Sequence, residues 1–169
     1  MAKRTLLLLT VILVVAASLF VVFLLIEKVS LKNAARQRME SVSNFAVYDL
    51  DSSRILFTSG CKTLLVYFDS GCDYCEKEIA DIHKNIMVFQ EIDIVLVSSE
   101  QINAIASFQN KHSDLIRTAR VRFGKINADQ AYESFGSLIV PQIFIYEKDG
   151  SLIKRFTGET CIKVLQEYL

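Results

Sequence analysis

Cys72 and Cys75 stand three positions apart in FDSGCDYCEKE, behind an apolar run and ahead of a charged, helix-like one. Two thiols at that spacing can form a structural crosslink, supply half of a metal site, or cycle as a redox couple. A disulfide across three residues closes a very small loop and removes little entropy from the unfolded chain, so it is a weak staple. Zinc takes four ligands, typically two such pairs or one pair with two histidines, and the remaining Cys61, Cys161, His83 and His112 are isolated from one another. Haem attachment would place histidine directly after the second cysteine, where Glu76 stands. A redox couple suits the position best. Gly71 gives a turn after the apolar run, and Cys72 falls at a helix start, where unpaired N–H groups and the helix dipole favour a thiolate. Cys75, one turn on, lies on the same side and can displace a partner from a mixed disulfide. Cys72 is then the attacking thiol and Cys75 the resolving one.

The elements that must hold this pair follow from periodicity. Leu64 to Phe68 (LLVYF) is a continuous apolar run, as in a strand covered on both faces, and Ile92 to Val97 is a second. Ile79, Ile82 and Ile86 recur at helical spacing after the cysteines, and Ile102, Ile105, Ala106 and Phe108 do so within Glu100 to Lys111. Val121 and Phe123 alternate with Arg120 and Arg122, which predicts an edge strand whose arginines (with Arg117) face water. Ala128 to Phe135 reads as a short helix ending near Gly136. Gln142 to Glu147 and Ser151 to Thr157 read as strands joined at Asp149-Gly150. Glu159 to Leu169 reads as a closing helix, and Phe45 to Tyr48 with Arg54 to Phe57 as an N-terminal hairpin. Strands alternating with helices predict a mixed α/β sheet flanked by helices on both faces.

Leu6 to Ile26 holds 21 residues without a charge, and roughly 20 apolar residues cross a bilayer as a helix. The run is longer than the apolar core of a cleaved leader, so it predicts a retained transmembrane anchor. The chain divides into a tail over 1–5, an anchor over 6–26, a stalk over 27–43 and a domain over 44–169. Basic residues flank the anchor on both sides; the short N-terminal tail suggests a domain on the extracytoplasmic side. With 19 basic and 19 acidic residues and no basic stripe, the chain lacks the electrostatic footprint of a nucleic-acid binder.

Over about residues 44–169 the chain resembles the thioredoxin-fold, membrane-anchored extracytoplasmic thiol–disulfide oxidoreductases (TlpA/ResA-like, of the redoxin family). The resemblance rests on the hairpin ahead of the core, LLVYF, Cys72-Asp-Tyr-Cys75, Glu78 three residues after the second cysteine, and IVPQIFIYEKDGSLIKRFTG. It implies a thioredoxin-like sheet and disulfide exchange with envelope proteins without a cofactor. It also implies a cis Pro141 packed against the cysteine pair. Pro141 is the only proline in the chain. The family's aromatic residue before the first cysteine is replaced by Gly71, and Asp69 stands where a peroxiredoxin would want Thr or Ser. Glu78 reads equally as a proton shuttle for Cys75 and as an acid that suits a first helical turn. His83 reads as a boundary residue, His112 as a loop residue, and Cys61 as lying opposite the active end, with Cys161 near it. Asp73, Glu76 and Glu78 against the single cation Lys77 favour a reductant, resupplied by a membrane electron donor. The rival reading is a copper chaperone or partner-binding module using both thiols as soft ligands.

Overall fold

The computed structural model describes residues 13–28, 46–57, 60–118 and 120–169. Residues 13–28 form a helix, α1, whose apolar side chains from Leu13 to Ile26 are exposed. No helix among the described residues is long and apolar enough to cross a membrane. The tail over 1–5, the first part of the predicted anchor and nearly all of the stalk lie outside the described residues, as does Phe45.

The rest is built on a five-stranded sheet in the order β3-β2-β1-β4-β5. β1 (Lys62–Tyr67) runs parallel to β2 (Ile92–Ser98), which runs parallel to β3 (Val121–Lys125). β4 (Gln142–Tyr146) lies antiparallel to β1, and β5 (Leu152–Thr157) antiparallel to β4. The crossovers are α2 (Asp73–Lys84) with a 3₁₀ turn at Ile86–Phe89, then α3 (Ile102–Lys111) and α4 (Ser113–Thr118), then α5 (Ala128–Phe135). The chain closes on α6 (Ile162–Gln166).

Alternation along the strands divides the core in two. Leu64 and Val66 of β1 face a layer with Ile79 and Ile82 of α2, Ile105 and Phe108 of α3, and Leu165 of α6. Leu65 and Tyr67 face the opposite layer, with Ala131 and Phe135 of α5 and with Val47 and Ile55. Each such Leu or Ile, taken fully out of water, contributes about 1.5–3 kcal/mol. The active-end helix is therefore held by its Ile79–Ile82 face.

The N-terminal hairpin exists in reduced form. Val47 and Ile55 pair through Ile55 N to Val47 O at 2.8 Å, and Tyr48 exchanges backbone bonds with Lys125 of β3. The segment thus covers the outer edge of β3, which corrects the predicted open edge at Arg122, while Arg117 and Arg120 stay exposed as expected. Arg122 donates to Leu56 O at 3.1 Å and pairs with Asp93 at 3.8 Å, while Arg120 donates to Cys61 Sγ at 3.1 Å. Gly124 makes the close approach feasible, because a Cβ there would overlap Val47 Cγ1 and come within 2.9 Å of Ile55 Cδ1.

Candidate functional site

Register brings three chain segments to one edge of the sheet. Tyr67, the last residue of β1, pairs with Val97 near the end of β2 and with Gln142 at the start of β4. The loop to the cysteines, the loop after β2 and the loop before β4 therefore lie side by side.

The first of these loops is tightly tied. Asp69 Oδ1 accepts from Gly71 N at 2.8 Å, and Cys72 N donates to Asp69 O at 3.2 Å, which turns the chain straight into α2. Glu100, just past β2, clamps the turn from outside. Its carboxylate accepts from Ser70 N and Ser70 Oγ, each at 2.7 Å, and from Ser98 Oγ at 3.1 Å.

Cys72 is the N-cap of α2, in extended backbone, and its Sγ accepts from Cys75 N at 3.4 Å. That N–H is one of the orphan donors of a helix start, and it points at the sulfur where a thiolate's charge would sit. Cys72 is half-buried, whereas Cys75 is buried against the core, and both are free thiols. Burial pushes the Cys75 thiol up to about 12, so it stays protonated until something takes its proton.

Glu78 lies three residues beyond Cys75, on the same helix face. It is fully buried; Oε2 accepts from Thr160 N at 2.7 Å, and Oε1 has no hydrogen-bond partner among the described residues. Burial raises its carboxyl to about 7, against the lowering effect of the Thr160 bond. The arrangement joins a hydrogen-bonded sulfur near the surface, a buried protonated thiol, and a buried carboxyl that titrates near neutrality. The Val140–Pro141 peptide bond is cis, and Val140 packs against the same layer as Cys72.

Other charges differ from the sequence reading. Lys77 is paired with Glu159 at 2.6 Å. Glu76 meets Lys111 Nζ at 3.0 Å and His112 Nε2 at 3.3 Å. Burial pushes Glu76 up, but the bonds and charges of Lys111 and His112 outweigh it and hold the carboxyl below its usual range. Lys77 is the only cation of the stretch itself, and the fold adds Lys111 and His112 at Glu76. His112 is no exposed loop residue either: it caps α3, is buried, and lays its ring 4.6 Å from that of Phe108. His83 sits at the boundary, half-buried. Cys161 caps α6, and its neighbour Thr160 reaches Glu78. Glu100 and Gln142 escaped sequence reasoning. Their signal was a polar residue just past one apolar strand and at the start of another, on the edge that the cysteines occupy.

A thioredoxin-like fold with a Cys-x-x-Cys pair at the head of its second helix is what this geometry defines, and comparison with known proteins agrees. Over 172 residues the chain is 25% identical to the thiol–disulfide oxidoreductase ResA of Bacillus cereus, covering 99% of this chain and 96% of that protein. Among solved structures it is similar to a secreted Mycobacterium tuberculosis disulfide oxidoreductase homologous to E. coli DsbE. That likeness has a TM-score of 0.58 and 16% identity, over 78% of this chain and 96% of the other. A thioredoxin-like protein from Neisseria meningitidis superposes with a TM-score of 0.58 at 20% identity, over 73% and 83%. No family model matches. The fold is thioredoxin-like, and the resemblance to thiol–disulfide oxidoreductases holds in relatives that bear that name.

Proposed function

We propose that this protein is a membrane-anchored thiol–disulfide oxidoreductase that reduces disulfides in proteins of the cell envelope. The observation that carries the reading is the asymmetry of the pair: Cys72 Sγ accepts a helix-start N–H near the surface, while Cys75 is buried and protonated.

The Cys72 thiolate attacks one sulfur of a substrate disulfide. The S–S bond breaks, one substrate thiolate leaves, and a mixed disulfide with Cys72 forms. Cys75 then loses its proton, and Glu78, buried three residues on along the same helix face, is in its ionised form a group suited to take it. The Cys75 thiolate attacks Cys72 Sγ and releases the second substrate thiolate. Two electrons have passed to the substrate, and Cys72 and Cys75 end as a disulfide. A membrane partner resupplies the electrons, with residues 6–26 holding the domain at the bilayer on its extracytoplasmic side. The whole-length similarity to ResA of Bacillus cereus supports this assignment.

The full-length chain in detergent should accelerate insulin reduction by dithiothreitol, and Cys72→Ser should abolish the effect. A chain that leaves insulin untouched yet binds copper(I) through both thiols would replace the enzyme with a metal-binding module.

A further inference from the structure

We infer that Glu100 is a positioning residue that holds Cys72 against Cys75 for the step in which the pair closes into a disulfide; the inference rests on the oxidoreductase reading above. Closure needs two sulfurs brought together, and the core fixes only one of them. Cys75 is buried on α2, whereas Cys72 is half-buried at the N-cap and hangs on the turn over residues 69–71. Gly71 adds nothing that holds this turn: it lacks a side chain, and a Cβ there would meet only Asp69 Oδ1, at 3.3 Å. The bonds from Gly71 N to Asp69 Oδ1 and from Cys72 N to Asp69 O tie the turn to itself and not to the sheet.

Glu100 supplies the hold from outside. Its carboxylate binds Ser70 twice, accepting from the backbone N and from Oγ, each at 2.7 Å. The carboxylate is itself fixed to β2, because Ser98 Oγ donates to Glu100 Oε2 at 3.1 Å and accepts from Glu100 N at 3.2 Å. Ser98 is fully buried, and its carbonyl accepts from Ile126 N at 3.0 Å. Beside these bonds Tyr67 Oη and Ser99 Oγ lie 2.9 Å apart. The turn before Cys72 is thereby laced to the end of an inner strand. A thiol held in place closes a disulfide as if its partner were at high concentration. On a loose turn, Cys72 would offer its bond with the substrate to Cys75 less often. Ser70 N, Ser70 Oγ and Ser98 Oγ all donate to the carboxylate, and a carboxamide could serve them as well. Its oxygen accepts from Ser70 N and Ser98 Oγ, and its nitrogen donates to Ser70 Oγ, a hydroxyl able to accept. The clamp therefore acts through position and not through charge.

The test follows the small disulfide DTNB on the reduced full-length chain in detergent, with Cys61→Ser and Cys161→Ser removing the other thiols. Attack by Cys72 releases one thionitrobenzoate and leaves a mixed disulfide; Cys75 then displaces the second at a rate independent of DTNB concentration. Glu100→Ala should slow the second release about tenfold and leave the first within about twofold. The ratio of oxidised to reduced pair in a glutathione buffer should drop by the same factor, a midpoint about 30 mV less negative. Glu100→Gln should restore both readings. Glu100→Asp keeps the charge but sets it back by one methylene, so it should behave as alanine, and it serves in place of the alanine variant if that one does not fold. A second release unchanged in the alanine and aspartate variants, both releases slowed alike, or aspartate rescuing where glutamine does not would overturn the inference alone. A reduced chain with Glu100 intact that releases no second thionitrobenzoate would overturn the oxidoreductase reading and this inference with it.

Discussion

The two thiols of this site differ in burial and in hydrogen bonding, and the proposed order of attack rests on that difference. Cys72 Sγ sits under the N–H of Cys75, while burial pushes Cys75 itself up to about 12. Replacing Cys75 with serine should therefore trap mixed disulfides between Cys72 and its partners on non-reducing gels, whereas Cys72→Ser should trap none; the reverse pattern would exchange the roles. Glu78 adds a pH dependence of known sign. Burial raises its carboxyl to about 7, above the ordinary value of 4.5. A carboxyl raised on folding stabilises the native state fully only below its unfolded value, and that contribution is lost as pH climbs through 7. The upper bound on the loss between pH 4.5 and pH 8 is about 3 kcal/mol. The Tm of the wild type should fall across that range, and Glu78→Gln, which keeps the oxygen for Thr160 N, should flatten the curve. Insulin reduction by the wild type should rise with pH through 7 as Glu78 becomes able to accept a proton. An identical pH–rate profile in Glu78→Gln would remove Glu78 from the proton path.

At the level of elements, the N-terminal segment and β3 depend on one glycine. Gly124→Ala would drive a methyl into Val47 and Ile55 and to 3.2 Å of Tyr48 O, so the segment over 46–57 must shift off the strand. Overpacking of this kind costs about 1–3 kcal/mol. Hydrogen exchange should then speed up at Tyr48 and Lys125, which exchange backbone bonds, and stay slow in β1. Equal speeding in both would mean that the segment folds with the core rather than onto it. The same elements mark what the sequence could and could not tell. The helix Ala128–Phe135, capped by Asn127 and ended by Gly136, was legible from local chemistry alone, as were the apolar strands and the Asp149-Gly150 hairpin. The last helix is shorter than its apolar pattern predicts, Ile162–Gln166 rather than Glu159 to Leu169. Glu159 and Thr160 are drawn into bonds with Lys77 and Glu78 of α2 instead of a first helical turn. Helix α4 went unread because His112, which breaks the chain between α3 and α4, is held by a ring contact with Phe108 and by Glu76 of α2, and only the fold brings the latter to it. The cysteine pair was legible as a motif. Its supports at Glu100 and Gln142 were not, since only register places them beside it.

Across the whole molecule the fold decides which charges reach the pair, and these bear on the direction of electron flow. Strong oxidants of thiol–disulfide exchange lie near about −120 mV because their reduced form holds a very stable thiolate, and thioredoxin lies near about −270 mV. Asp73 and Glu76 stand in the first turn of α2, where their charge opposes a thiolate at Cys72. The fold brings Lys111 and His112 from the end of α3 against Glu76, which offsets part of that charge but leaves Asp73 beside the thiol. Cys75, buried in the core, gains nothing from ionising. With acidic charge in the first turn of α2 and Cys75 buried, the proposed reductant should have a potential toward the thioredoxin end. Equilibrating the full-length chain with a glutathione redox series should show the disulfide persisting until the buffer is strongly reducing. Removing the offset with Lys111→Ala should move the midpoint further in the same direction. A disulfide already fully reduced in mildly oxidising mixtures would mark an oxidant, and electrons would then flow from substrate thiols to this protein.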